Sequence, residues 1–335
     1  MREFDARPVR ACSLGLQDPE RLKQSQVGAS EPGRGFTIGI CATGAPPRLA
    51  ELLAVVHEEP LPLGFSLSRI VVVASACAPA TVEHLRLAEA SEPRMVLIEE
   101  GERKGKADAV NQVVSQSVGE YLVFVNSDAL PERGAISGLL RAMDRDPSAG
   151  VVCGNPVVAE RRGLAAGVIQ LMWATHNLCS EDLQRSSRAN HGTDELMVVR
   201  SGALTVLPEG VVNDGAYLAG VASLRGYAVR SLASARVDVE APTRPIDVIR
   251  QRRRILYGHI QVWRLVGRPP RTVESLVLLS PAQAFRLVVT AVSNRPRLLL
   301  ALPAATVGEA VSFLGALADS LGSGRKHAVW KRFGA

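Results

Sequence analysis

Between residues 36 and 154, five short and almost wholly apolar runs alternate with segments whose apolar residues return every three or four positions. The runs are FTIGICA (36–42), RIVVVAS (69–75), RMVLIE (94–99), EYLVFVN (120–126) and GVVCG (150–154). Continuous apolar character of this kind is what a parallel strand buried on both faces requires. The intervening segments PRLAELLAVVHEE (47–59), TVEHLRLAEA (81–90), GKADAVNQVVSQSV (105–118) and ERGAISGLLRAMDR (132–145) read as helices. The alternation predicts an α/β chain with a doubly wound, mostly parallel sheet, and it places a ligand beyond the carboxyl ends of the strands. Those ends are Thr43, Ser75, residues 99–106 and residues 126–128.

A chain of 335 residues with 47% hydrophobic content can bury a large core, as one domain with an appendage or as two. The net charge of +6 suits a partner that carries phosphates, but does not choose among nucleotide, polyphosphate lipid, anionic membrane and nucleic acid. Five scattered cysteines without a Cys-x-x-Cys pair indicate neither a disulfide framework nor a zinc site, and fit a reducing cytoplasm. Residues 1–35 read as a polar N-terminal extension that lacks the continuous apolar region of a signal peptide. Two nucleotide loops are excluded. GICATGAP has glycines at P-loop spacing, but Ala45 and Pro46 stand where Lys and Ser or Thr are required. No Gly-x-Gly-x-x-Gly follows the first strand, which argues against a dinucleotide cofactor.

Five stretches then occur in a telling order: RKGKADAVNQ (103–112), VNSDALPE (125–132), HGTDELMVVRSGAL (191–204), VVNDGAYLAGVASLRGYAVR (211–230) and RPIDVIRQRRRILYGH (244–259). Together they resemble the family 2 glycosyltransferases of GT-A fold, in the branch related to polysaccharide synthases, from about residue 36 to residue 263. The elements matched are a Gly-Lys-x-x-Ala-x-Asn segment, an Asp-x-Asp motif, a Gly-Thr strand, a Glu-Asp segment and a Gln-x-x-Arg-Trp segment. This chain departs from them at Asn126, Asn213 and Ile255, which stand for Asp, Glu and Trp. The resemblance implies a GT-A domain over 36–243 followed by C-terminal helices over 244–335, and inverting transfer of a sugar from a nucleotide diphosphate sugar to an acceptor of unknown identity.

Inverting transfer needs a carboxylate to deprotonate the acceptor hydroxyl and positive charge at the departing diphosphate. On the matching positions Asp214 becomes the general base, although an acid before a helix is also a common cap. Asp128 becomes the ligand for Mg²⁺ or Mn²⁺. With neutral Asn126 beside it, the metal is expected to bind weakly and to fill its site with the donor phosphates. The donor is assigned Ala42, Thr43, Ser75, Lys106, Asp108, Asn126, Asp128, Gln251 and Arg254. Gln251 and Arg254 share a helix face, whereas Arg252 and Arg253 point elsewhere. Arg103 and Lys104 stay unassigned, since a solvated basic turn explains them equally well. The acceptor is assigned Trp173, His176, Glu195 and His259, with a packed core as the bland alternative for Trp173 and the histidines. Glu195 and Arg200 differ in strand parity, so one of them faces the site, and Glu195 is favoured.

Beyond the arginine run, residues 273–292 and 298–321 read as two long helices. LLLALPAATVGEAVSFLGALA (298–318) has one charge, Glu309, and could barely cross a hydrocarbon core. Pro303, Gly308 and Glu309 oppose insertion, so an interfacial or partner-packing helix is expected, with Arg295, Arg297, Arg325, Lys326, Lys331 and Arg332 available to anionic headgroups. Location is expected to be cytoplasmic, at the inner face of the membrane. Nucleic-acid binding is disfavoured because no aromatic platform accompanies the RQRRR run. The competing class is a nucleotide-sugar-binding protein with impaired turnover, motivated by Asn126, Asn213 and Ile255.

Overall fold

The computed structural model describes residues 34–158, 163–322 and 327. The polar extension expected at the N-terminus, and Arg325, Lys326, Lys331 and Arg332, lie outside the described residues, apart from positions 34 and 35.

The five expected strands form as β1 (Arg34–Gly44), β2 (Phe65–Cys77), β3 (Met95–Glu100), β4 (Tyr121–Asn126) and β6 (Ala149–Val157). Three more complete an eight-stranded sheet: β5 (Ala129–Pro131), β7 (Leu196–Arg200) and β8 (Ala228–Val239). The order is β3-β2-β1-β4-β7-β6-β8-β5. The pairs among β3, β2, β1 and β4 are parallel, but β7 runs antiparallel to both β4 and β6. That reversal decides the site. The beginning of β7, rather than its end, meets the carboxyl end of β4.

Helices α1 (Leu49–Glu58), α2 (Pro79–Ser91), α3 (Lys106–Gln116) and α4 (Ala135–Arg145) connect the strands where the periodicity placed them. Strand side chains alternate between two cores, one on each face of the sheet. Phe36, Ile38 and Ile40 pack with α1 and α4, while Val71, Val73, Leu122 and Phe124 pack with α3 and with Tyr217 and Leu218. Gly39 lets α3 settle on β1, because a Cβ there would come within 2.3 Å of the Val113 side chain.

The remaining helices are α5 (Leu164–Arg185), α6 (Asp214–Leu224), α7 (Pro245–Val266), α8 (Val273–Leu279), α9 (Pro281–Asn294) and α10 (Leu302–Ser320), the last preceded by a 3-10 turn, Pro296–Ala301. The single helix expected over 273–292 is therefore two. Pro281 supplies no N–H and drives Ser280 out of the helical region, to φ −157° and ψ 70°.

α10 lies on α7. Arg252 donates to Glu309 at 2.5 Å and also to Glu274, and Arg253 donates twice to Asp319 at 2.6 Å. Glu309, expected to oppose insertion, is thus the ion-pair partner of the arginine helix. Among the described residues, Pro296–Ser320 is one segment apolar and long enough to cross a membrane, and its outer face leaves Leu300, Val307 and Leu314 exposed.

Candidate active site

The carboxyl ends of β1, β2 and β3 make one row, with Thr43 in register with Ser75 and Ser75 with Glu100. Ala42, one residue before Thr43, is buried and pairs with Ala74. Thr43 Oγ1 and Glu100 Oε2 are buried without a hydrogen-bond partner among the described residues. Gln112 donates to the other Glu100 oxygen and, at 2.9 Å, to Asp108. Asp108 therefore acts on this row through Gln112.

Next to the row, β4 delivers Asn126, and a turn carries Asp128 toward β5. Asn126 is fully engaged: its Oδ1 accepts from Lys106 at 2.8 Å and its Nδ2 donates to Glu195 at 2.8 Å. Lys106, the first residue of α3, also bonds to Asp194 and reaches Asp214 Oδ1 at 3.2 Å. Asp214 opens α6 and is only 3% exposed. The helix cap falls to its neighbour, since Asn213 accepts from the Ala216 amide at 3.1 Å. Capping is thus removed as an explanation for Asp214. Gly215 completes the local fit: a Cβ there would stand 3.0 Å from the Asp194 amide nitrogen, so α6 and the segment before β7 could not meet so closely.

Arg254 arrives from α7, with Nη2 donating to the Val212 carbonyl at 3.3 Å and Asp194 and Asp214 close enough to act on its charge. Burial nevertheless holds its pKa below the ordinary guanidinium value. Gln251 is half-buried, one turn earlier on α7. Arg103 comes near enough to Arg254 to oppose its charge, so this half of the basic turn belongs to the region.

The acids respond in different ways. Burial pushes Asp214 up to about 6, with Lys106 pulling down and Asp194 pushing up. Burial also pushes Glu195 up to about 8, helped by the charges of Asp194 and Asp128. Asp194 is desolvated too, yet Lys106 holds it well below the usual carboxylate range.

Trp173 packs partly buried against the core, while its ring meets His176 edge-on at 5.4 Å. His176 is 5.6 Å from His191, which is 5.0 Å from His259. Burial, with repulsion from His191, pushes His176 down to about 3; burial, with repulsion from His259, pushes His191 down to about 3; and burial pushes His259 down to about 4. Their rings are neutral at pH 7, and His259 Nε2 is buried without a partner among the described residues. Glu195 sits apart from this file, beside Asn126. Arg200 lies at the other end of β7, bonded to the carbonyls of Ala149 and Met143 at 3.0 and 2.8 Å.

A hard divalent cation would find Asp128 here, but not the Asn126 oxygen, which accepts from Lys106. Among the described residues no group of three His, Cys, Asp or Glu side chains is spaced to hold a metal ion. A single carboxylate such as Asp128 can hold a hard cation when the cation arrives with other oxygen ligands.

Sequence patterning did not single out Asp194, Glu100 or His191. Asp194 and Glu195 both precede the regular strand, and the parity argument weighed only Glu195 against Arg200. Glu100 closes β3 in register with Ser75, in the same row of strand ends.

The model of glycosyl transferase family 2 matches residues 37–204. Poly-beta-1,6-N-acetyl-D-glucosamine synthase of Staphylococcus aureus is 22% identical over 170 residues, or 50% of this chain and 37% of that protein. The chain thus matches little more than a third of the length of this curated relative. The mannosyltransferase PcManGT from Pyrobaculum calidifontis, in complex with GDP-Man and Mn²⁺, is 21% identical, with a TM-score of 0.60 over 86% of this chain and 87% of that one. The fold is GT-A. With half its length matched by the family model, the chain belongs to glycosyl transferase family 2.

Proposed function

We propose that the protein is an inverting glycosyltransferase, using a nucleotide diphosphate sugar as donor and Asp214 as general base. The observation that carries this reading is the convergence of Lys106 and Arg254 on a buried Asp214 that its helix does not need as a cap. Asp214 takes the proton of the acceptor hydroxyl, whose oxygen attacks the anomeric carbon. The bond to the diphosphate breaks on the opposite face, and its electron pair leaves with the diphosphate. Arg103 and Arg254 neutralise that charge, with Gln251 alongside, while Lys106 borders the donor. Asp128 would hold Mg²⁺ or Mn²⁺ brought in with the donor. When bound, the metal supplies further positive charge at the diphosphate.

Ala42, Thr43, Ser75 and Glu100 border the nucleoside, and the two unmet oxygens of Thr43 and Glu100 accept or exchange hydrogen bonds with it. Trp173, His176 and His259, with Glu195 nearer the base, form the acceptor side. Uncharged histidines suit a hydroxyl-rich acceptor. The exposed apolar face of α8, α9, the 3-10 turn Pro296–Ala301 and α10, including Leu278, Phe285, Leu300 and Leu314, makes peripheral contact with a membrane. Cosedimentation with anionic phosphatidylglycerol vesicles tests that contact, which is refuted if Leu300→Ser/Leu314→Ser binds as well as the parent.

Thermal shift against UDP-glucose, UDP-N-acetylglucosamine and GDP-mannose identifies the donor, because a ligand of the folded state raises stability. The wild type then releases nucleoside diphosphate, whereas Asp214→Asn binds the donor without doing so. A second reading, a nucleotide-sugar-binding protein, is favoured by the engagement of Asn126 with Lys106. It prevails if wild type and Asp214→Asn are equally inert while both bind donor.

A further inference from the structure

Asp194 takes no part in the reaction as described, yet it stands at the centre of the charge cluster. Position 126 carries an amide where the related motif has a carboxylate, and the missing charge is found one strand away. Because β7 is antiparallel to β4, the residues just before its first position lie beside Asn126: the Asn126 amide donates to the Glu195 carbonyl at 3.2 Å. Asn126 Nδ2 then lies 3.4 Å from Asp194 Oδ2. The same carboxylate bonds to Lys106, whose ammonium is shared with Asp214 at 3.2 Å. One ammonium thus serves two carboxylates and one amide.

We propose that Asp194 is a positioning residue for transfer, supplying from β7 the carboxylate that Asn126 lacks and holding the Lys106 ammonium so that it does not close on Asp214. The proposal rests on Asp214 being the base. A carboxylate locked in an exclusive ion pair accepts a proton poorly, because the adjacent cation favours its charged form. With Asp194 present the ammonium has a second anion, and an additional negative charge stands near Asp214. Without it, Asp214 is the anion left in contact with Lys106. The expected defect is therefore in the chemical step, not in donor binding.

The experiment measures kcat and donor KM for nucleoside diphosphate release by the full chain, with the panel nucleotide sugar that stabilises it most. Asp194→Asn is expected to lower kcat about tenfold or more while leaving donor KM within about twofold. Asp194→Asn/Lys106→Gln is expected to recover part of that kcat, because no ammonium remains to close on Asp214, even as donor KM rises. A purely structural role for Asp194 gives no such recovery. Wild-type kcat in Asp194→Asn, or losses that simply multiply in the double variant, overturn the proposal. Should Asp194→Asn not fold, Asp194→Glu decides: kcat within about fivefold of wild type supports the proposal, and a folded but inactive protein overturns it. Asp214→Asn is assayed in parallel. Full activity there removes the general-base reading itself, whereas an inert Asp214→Asn beside a wild-type-like Asp194→Asn removes this inference alone.

Discussion

Two partly buried ionic clusters adjoin α7, and they differ in one respect. Around Arg252 the charges close on themselves: the guanidinium spans Glu309 and Glu274, and the three side chains tie α7 to α10 and α8. Around Lys106 they do not close. Asp194 and Asp214 share one ammonium, Glu195 is pressed toward its neutral form, and Thr43 Oγ1 and Glu100 Oε2 have no partner among the described residues. A closed cluster holds helices together, while an open one stores demand for a ligand. Arg252 and Arg254 are two residues apart on one helix, so they project in different directions and serve one cluster each.

The sharpest test of this contrast is to neutralise one charge in each cluster. Asp214→Asn is expected to cut transfer about 10²- to 10⁴-fold with thermal stability nearly intact, checked by nucleoside diphosphate release and by melting curves. Arg252→Met is expected to do the reverse, costing about 3–5 kcal/mol of stability by leaving two acids unpaired, while the folded fraction keeps its kcat. An Arg252→Met protein that melts normally but does not turn over would erase the distinction. A smaller effect is expected with pH. Asp214 must be deprotonated to act, and burial places it at about 6, so kcat should fall about tenfold per unit below that value and level off above it. Glu100→Gln comes next, with donor KM raised about tenfold as the unmet oxygen loses its charge, and kcat little changed.

The parallel half of this site was legible in the sequence because each of its strands is a local signal. Continuous apolar runs located β1 to β4, and their ends located Thr43, Ser75, Lys106 and Asn126. The antiparallel part was not legible in the same way. Nothing local in TDELMVVR states that β7 inserts between β4 and β6, yet that choice alone brings Asp194 to Lys106. The arginine run shows the same limit from the other side. Helical spacing separated Arg254 from Arg252, but Glu309 lies 57 residues further on, and only tertiary packing reveals it as the partner of Arg252. Asp214 was ambiguous because an acid before a helix is also a common cap, and hydrogen-bond geometry gives the cap to Asn213 instead.

Glu195 offers the gentlest probe of the open cluster. Its carboxyl is pushed up to about 8 by burial and by its acidic neighbours, from an ordinary value of 4.5. Between those two values the folded protein binds more protons than the unfolded chain, so stability falls as pH rises through the window. A glutamine keeps the oxygen that accepts from Asn126 and never ionises. Glu195→Gln is therefore expected to match the wild type near pH 4.5 and to melt about 2 °C higher at pH 8. The opposite trend, with the variant less stable as pH rises, would mean that Glu195 carries a stabilising charge. The cluster around Lys106 would then be closed in the manner of the cluster around Arg252, and the contrast between them would lose its physical basis.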